Sequence, residues 1–170
     1  MAIAEPIVTI RHVRLGESIA PTPGADSRSS PLYILDSSSG LGSNQIHRIA
    51  RDRHSRLWLA LPVGLASYDG SFTHQWDRRN GLQCNGLRSV AIGADERVWV
   101  GTDLGLELLD GAGRPLSGLI PSNWQFGLCQ HIDVSGSNPW IGTAHGLVKL
   151  ECQEDDQRFR MACPRFLYHS

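Results

Sequence analysis

Residues 97–111 of this chain read RVWVGTDLGLELLDG, and the same pattern occurs twice more. It returns as RLWLALPVGLASYDG at residues 56–70 and as NPWIGTAHGLVKLE at residues 138–151. Two sets of residues recur at a constant interval of 41 positions: Trp58, Trp99 and Trp140, and Gly64, Gly105 and Gly146. A repeat this regular determines the architecture, so it has to be interpreted before any local motif.

Each repeat is predicted to form four short β-strands. The segments around the tryptophans, LWLAL, VWVGT and WIGT, are almost continuously apolar, which is typical of a strand covered on both faces. The repeated glycine that follows suits a tight turn with a positive φ. Asp-Gly pairs at residues 69–70 and 110–111 then predict turns into a fourth strand, at residues 72–76 and about 115–120. The first strand is expected at residues 44–51, 85–93 and 126–134, and the third at residues 65–68, 106–109 and 147–150.

A period of 41 residues with four strands per repeat is typical of a β-propeller blade. Helical repeats require amphipathic stretches of about ten or more residues without glycine, and the sequence between residues 40 and 146 has none. Leucine-rich repeats have a shorter period. We therefore predict an all-β fold built from β-propeller blades, each of four antiparallel strands.

The repeats also divide the chain into two regions. Residues 1–31 are expected to contain one strand, at residues 7–15, and a linker rich in Pro and Ser. Residues 32–170 are expected to form the repeat domain. Its blades are predicted at about residues 40–80, 81–121 and 122–163.

The pattern GLxxN followed by xLWxGTxxGLxxxDG resembles the two-component regulator propeller repeat, which occurs in the sensor regions of many bacterial signalling proteins. The resemblance covers about residues 40–151, and residues 97–111 match it best. The first copy has Ala60-Leu61 in place of Gly-Thr, and the third has Pro139 before its tryptophan and lacks the GLxxN opening. This resemblance implies a sensor role, usually in the periplasm and joined to a histidine kinase or cyclase output domain.

The number of repeats poses a structural problem, because closed propellers usually have four to eight blades. Three blades would leave an apolar face exposed at each end, and such faces favour association. The chain is therefore an excerpt of a longer propeller, a unit that forms a ring with copies of itself, or a subunit whose ends are covered by other proteins. Strands predicted at residues 7–15, 32–36 and 159–163 offer a further route, completion of a fourth blade.

Polar residues near one mouth of the central channel are the candidates for binding a ligand or partner. In a propeller, this mouth is formed by the loops that enter the first strand and by the loops between the second and third strands. These loops carry Asn44, Gln45, Asn85, Thr102, Asp103, Thr143 and His145. The alternative is structural: the two asparagines cap turns and the two threonines bind backbone.

Other residue groups are interpreted as structural. The three repeated tryptophans are expected to pack between blades rather than to form an aromatic cage, and the three repeated glycines to form turns. Cys129, His131 and Asp133 alternate along one predicted strand, so they are expected to share a face. Across i to i+4 they span about 13 Å, too far to bind one ion, so no metal site is predicted. The basic stretch at residues 47–56 is predicted to be a solvated turn.

The four cysteines, Cys84, Cys129, Cys152 and Cys163, fit neither the repeat nor a C-x-x-C metal motif. We expect buried free thiols. A Cys152–Cys163 disulfide across a terminal hairpin is the alternative if the chain is exported.

Composition and motifs exclude several functional classes. The net charge of −1 gives no reason to expect a nucleic acid partner, and no apolar run is long enough to span a membrane. The N-terminus lacks the apolar centre of a signal peptide, so the location is cytoplasmic by default, or periplasmic if the chain is an excerpt of a sensor. Hydrolase motifs are absent and no cofactor is expected.

The function predicted from these observations is a non-catalytic recognition module that binds a small ligand or a protein in signalling or assembly. A structural subunit of a larger complex is the main alternative. A propeller lyase is a third, since such enzymes use a metal and a histidine at the channel, and only His145 is suitably placed.

Overall fold

The computed structural model of the chain describes residues 35–71, 73–120, 127–134, 138–152 and 159–162. Within these ranges it contains three antiparallel β-sheets and no α-helix. The predicted all-β class is therefore confirmed. The same residues include no helix long and apolar enough to cross a membrane.

We refer to the three sheets as blades 1, 2 and 3. Blade 1 contains β1 (Arg48–Arg51), β2 (Leu57–Leu61), β3 (Gly64–Tyr68) and β4 (Thr73–Trp76). Blade 2 contains β5 (Leu87–Ile92), β6 (Val98–Thr102) and β7 (Leu106–Leu109). Blade 3 contains β8 (Cys129–Asp133), β9 (Trp140–Thr143), β10 (Gly146–Cys152) and β11 (Phe159–Ala162). A single 3-10 turn, Ser37–Ser39, precedes blade 1 among the described residues. Within each blade, neighbouring strands pair in chain order.

The first strands of the three blades lie side by side. β1 contacts β5, and β5 contacts β8, so the blades follow one another in space as they do in the chain. Blades 1 and 2 also pack their second strands near the first strand of the following blade, through the β2–β5 and β6–β8 contacts. This arrangement is consistent with a partial, propeller-like fold.

The repeated glycine is required by the turn between the second and third strands. Gly64, Gly105 and Gly146 all have positive φ angles, of 140°, 145° and 122°. An L-residue rarely adopts this conformation, whereas glycine does so freely. At Gly64 a Cβ atom would also collide with the backbone oxygen of Trp76 in the outer strand.

Blade 2 differs from the prediction because its fourth strand does not form. Residues 115–120 were expected to pair with β7, but only an isolated bridge joins Leu109 to Pro115. The amide of Leu116 donates to the Leu108 carbonyl at 2.8 Å, and the chain then turns at Gly118, where φ is 84°. Proline cannot donate a ladder hydrogen bond, and the turn ends the pairing after Leu116.

The strand near the C-terminus lies in the third blade, which was predicted at about residues 122–163, and not in the fourth blade that was considered as a further route. β11 pairs with β10 and is the outer strand of blade 3. The predicted strand at residues 7–15, and the linker that follows it, lie outside the described residues. Only residues 35 and 36 of the predicted strand at 32–36 are described, and they are not in a strand.

Apolar cores fill the spaces between blades. Trp58 is fully buried and packs in a cluster that includes Val90 and Val98 of blade 2. Its indole stacks on Trp76 of the outer strand, with ring centroids 5.2 Å apart. Trp99 occupies the corresponding place in the cluster between blades 2 and 3.

Trp140 corrects the expectation that all three repeated tryptophans are buried. Its side chain is exposed, because it faces away from blade 2 and no further blade among the described residues covers it. The sequence motif is the same as at Trp58 and Trp99. Burial therefore depends on the neighbouring blade and not on the motif.

Candidate functional site

A cavity of about 340 Å³ lies beside the first strands of the blades. We call it the first-strand cavity. It is lined by His47, Arg88, Leu128, Gln130 and His131. His47 precedes β1 of blade 1, Arg88 belongs to β5 of blade 2, and Gln130 and His131 belong to β8 of blade 3. Three successive blades therefore contribute polar side chains to one cavity.

His47 is held in a defined orientation. Its Nδ1 atom lies 2.5 Å from the carbonyl oxygen of Leu87 in the neighbouring blade. A carbonyl only accepts hydrogen bonds, so Nδ1 is the donor in this contact and carries a proton.

Arg88 is oriented by Asp103. The Arg88 Nε atom donates to Asp103 Oδ1 at 2.6 Å. Both side chains are half exposed, so the ion pair contributes at most about 1 kcal/mol to stability. Gly86 leaves room for the Asp103 carboxylate, since a Cβ atom at residue 86 would collide with it. The geometry fixes the guanidinium beside the cavity without burying it.

Two of the predicted site residues cap the linkers that lead into blades. Asn44 Oδ1 accepts from the Ser37 amide at 2.6 Å, and Asn85 Oδ1 accepts from the Arg78 amide at 2.8 Å. The two hydrogen bonds are equivalent, because their donors and their acceptors are each 41 positions apart. The structure thus gives these asparagines backbone partners and places neither of them in the first-strand cavity.

The two predicted threonines bind backbone within the turn between the second and third strands. Thr102 Oγ1 accepts from the Gly105 amide at 3.0 Å and donates to the Gly105 carbonyl at 3.1 Å. Thr143 Oγ1 donates to the Gly146 carbonyl at 2.8 Å and accepts from the His145 amide at 3.1 Å. Gln45 and His145 are exposed and do not line the cavity.

None of the seven residues proposed from the sequence lines the cavity itself, and Asp103 reaches it through its hydrogen bond with Arg88. The polar residues that do line it are His47, Arg88, Gln130 and His131, and none of these was predicted from the loops. The repeat did contain a signal for two of them, because His47 and Arg88 are 41 positions apart. Arg88 and Gln130 each occupy a β-bulge in the first strand of their blade and are therefore equivalent, but they are 42 positions apart, so the spacing of 41 does not extend to β8 of blade 3.

The bulge in β8, between Cys129 and His131, corrects the prediction that Cys129, His131 and Asp133 share a face. Cys129 pairs with Thr143 and is fully buried against blade 2, whereas His131 pairs with Gly142 and is exposed. Among the described residues, no three His, Cys, Asp or Glu side chains are placed to bind a metal ion.

Burial makes the Cys129 thiol unreactive. It raises the pKa of the thiol to about 12, so almost no thiolate exists at neutral pH. Cys84, the other described free cysteine, is only partly buried. The side chains of Cys152 and Cys163 lie outside the described part of the structure, so their predicted state stays a prediction.

We expect Cys129 to resist alkylation in the folded chain. In a variant with serine at the three other cysteine positions, iodoacetamide at pH 8 should react at least about 100-fold more slowly than after unfolding in urea. A variant that retains only Cys84 serves as the control and should lose less reactivity on folding. Equal rates for folded and unfolded Cys129 would contradict its burial.

A second cavity, of about 430 Å³, lies beside β7 where the fourth strand is missing. Its charged lining residue is Glu107, which replaces the Ala66 and Val148 of the other repeats. Burial raises the pKa of Glu107, and the carboxylate accepts hydrogen bonds from the amides of Gln83 and Cys84 at 3.0 and 3.2 Å. Glu107 therefore holds the linker between blades 1 and 2 in place through hydrogen bonds. Because its charged group already has these structural partners, we regard the first-strand cavity as the better candidate site.

No family model and no curated protein matches the sequence. Solved structures do match. The extracellular domain of BT3049 from B. thetaiotaomicron, described as a hybrid two-component system, has a TM-score of 0.60 at 17% identity, over 80% of this chain and 19% of that one. The extracellular domain of BT4673 from the same organism, described as a one-component system, has a TM-score of 0.54 at 22% sequence identity. The match covers 82% of this chain and 18% of BT4673.

A third structure has a different role. PorZ, a surface component of the type-IX secretion system of Porphyromonas gingivalis, has a TM-score of 0.55 at 19% identity, over 75% of this chain and 21% of PorZ. The fold is shared. The chain spans only about a fifth of the length of each of these proteins, and the identities are too low to transfer a function.

Proposed function

We propose that the chain is a non-catalytic recognition module that binds a small ligand at the first-strand cavity, in a sensor or assembly role. The observation that carries this proposal is the convergence of polar side chains from three blades on one cavity. Binding sites commonly combine a concave surface with a few convergent polar groups. The similarity in fold to extracellular domains of signalling systems supports a sensor role.

The lining residues favour binding over catalysis. Arg88, His47 and His131 provide hydrogen-bond donors or titratable rings, but the described lining contains no Ser or Cys nucleophile beside a base. A guanidinium held at a fixed angle is suited to carboxylate or phosphate oxygens. An anionic small molecule is therefore the ligand class that this cavity fits best.

The proposal predicts that an anionic probe stabilises the chain through Arg88. Citrate, succinate and inorganic phosphate are tested by thermal unfolding. A probe at ten times its Kd adds about 1.4 kcal/mol of stability, which raises Tm by about 3 to 6 °C. In the Arg88→Ala variant that rise should disappear.

Arg79→Ala is the matched control. Arg79 is also an exposed arginine paired with an aspartate, Asp77, but it does not line the cavity. This variant should keep the full rise in Tm. Either an unchanged response in Arg88→Ala or the absence of a response to every probe in the parent chain would refute binding of anions at this cavity.

A structural role in a larger assembly is the second candidate function. It is favoured by the exposure of Trp140 and Leu147 on the outer face of blade 3, since exposed apolar residues of this size commonly mark interfaces. PorZ, which shares the fold, is itself described as a component of a secretion system.

A further inference from the structure

The last blade exposes residues whose counterparts in the other blades are buried. Trp140 is 41% exposed, whereas Trp58 and Trp99 are 0% and 3% exposed. Leu147 is 53% exposed, whereas Leu65 at the same repeat position is 1% exposed. We call this side of blade 3 the trailing face.

The opposite side of blade 1 shows the same effect, and we call it the leading face. Ile49 is 55% exposed, whereas Val90 is 3% exposed. The two are equivalent because Ile49 pairs with the second strand of blade 1 at the position where Val90 pairs with the second strand of blade 2. Ile46 is 39% exposed, whereas Leu87, which is 41 positions later, is fully buried.

The trailing and leading faces are the two halves of an interface that the chain already forms internally. Between blades 1 and 2, the trailing residues Trp58 and Leu65 and the leading residues Leu87 and Val90 belong to one buried cluster. Their counterparts are Trp140 and Leu147 on one end of the molecule and Ile46 and Ile49 on the other. One chain therefore exposes both complementary surfaces.

We propose that the trailing face of one copy binds the leading face of a second copy of this chain, head to tail. The linker before blade 1 fits this contact, because Leu41 corresponds to Leu82, which packs within the interface between blades 1 and 2. The leading face thus carries the same linker leucine that the internal interface uses.

The trailing face is more polar than its internal counterparts, as is common for interfaces between separate chains. Trp140 pairs across the sheet with Asp133 and Lys149, at positions where Trp58 has Ala50 and Ser67. The Lys149 ammonium lies 5.6 Å from the centre of the Trp140 ring. These charges make the trailing face more hydrophilic, and Trp140 remains exposed on it.

A head-to-tail contact produces a closed ring or an open chain of copies, depending on the rotation between neighbours. Two copies of this chain would bring together six sheets, which lies within the four to eight blades of closed propellers. Both products depend on the same contact.

Sedimentation of the purified chain tests the contact. At about 100 μM we expect particles with the mass of two or more 18.7 kDa chains, which dissociate on dilution to about 1 μM. Leu147→Glu on the trailing face and Ile49→Glu on the leading face should each give monomers at both concentrations. Both residues are exposed, so neither substitution should prevent folding, and circular dichroism of each variant is the check.

Mixing the two variants distinguishes a head-to-tail contact from any symmetric one. Ile49→Glu retains an intact trailing face and Leu147→Glu an intact leading face, so an equimolar mixture should form a 1:1 dimer. Leu104→Glu, at an exposed leucine outside both faces, is the matched control and should sediment like the parent chain.

Three results would overturn the proposal. The first would be a parent chain that sediments as a monomer at 100 μM, as expected if another protein or a further blade of a longer polypeptide covers the ends. The second would be a mixture of the two variants that stays monomeric. The third would be a single variant that still dimerises, which would indicate a contact between like faces.

Discussion

Replacement of Trp99 by alanine is expected to lower the free energy of unfolding by about 3 to 5 kcal/mol. The indole is buried in the cluster between blades 2 and 3, where it packs with Ile141 and Val148. Its removal deletes a large apolar area and leaves a cavity that the strands on both sides cannot fill. Urea unfolding followed by circular dichroism measures the loss.

Trp140→Ala is the matched control, because Trp140 occupies the same position in the repeat but is exposed. Its loss should be about 1 kcal/mol or less when the chain is dilute enough to be monomeric. Equal losses at Trp99 and Trp140 would show that the space between blades 2 and 3 is not the core of the molecule.

Replacement of Asp52 by alanine should produce the second large effect, a loss of about 2 to 4 kcal/mol. The nearly buried carboxylate accepts from the Arg56 amide at 2.9 Å, from Arg56 Nε at 2.8 Å and from Trp58 Nε1 at 3.2 Å. Arg56 in turn donates to the carbonyl of Gly111 in blade 2 and lies 4.6 Å from the centre of the Trp58 ring. Without Asp52 a buried indole N–H loses its partner and the link between the blades loosens.

The contribution of Asp52 to the free energy of unfolding should also depend on pH. Burial alone would raise the pKa of this carboxyl group, but the hydrogen bonds from Arg56 and Trp58 outweigh burial and lower it from its ordinary value of 3.8. A lowered pKa means that the stabilisation is complete above the pKa of the unfolded chain and is lost as the pH falls through the folded value. The difference between the parent chain and Asp52→Ala should be constant from about pH 5 to 8 and should shrink below about pH 4.

Asp95→Ala provides the comparison for Asp52. Asp95 lies in the corresponding turn of blade 2 and accepts from the Arg97 amide at 3.1 Å, but its side chain is half exposed. The expected loss is about 1 kcal/mol or less, because an exposed ion pair contributes little. A loss as large as that at Asp52 would mean that burial of the carboxylate is not what makes Asp52 important.

The strands covered on both faces were the easiest elements to predict. The segments LWLAL and VWVGT coincide with β2 and β6, and the predicted third strand of blade 2 coincides with β7. Such strands contain apolar residues at nearly every position, so their limits are visible in the sequence itself. The turns are visible for a similar reason, since the positive φ angle between the second and third strands requires glycine.

The candidate site was harder to predict because it depends on contacts between blades. His47 gains its orientation from a carbonyl group in blade 2. Bulges in β5 and β8, which the residue types do not reveal, make Arg88 and Gln130 equivalent although they are 42 positions apart. Asn44 and Asn85 were predicted to bind a ligand or partner, with capping of turns as the alternative, and in the structure their side chains accept hydrogen bonds from backbone amides as that alternative predicted.

The repeat, the all-β class and the position of the tight turns could be predicted from the amino-acid sequence, because these depend on the local pattern of apolar residues and on the conformational freedom of glycine. Which repeated tryptophans are buried and which polar side chains meet depends on how the blades pack against one another. Trp99 and Trp140 occupy equivalent positions in the same motif, and they differ because one has a blade packed over it and the other does not. Burial is a property of the neighbour as well as of the residue, so it cannot be read from a repeat alone.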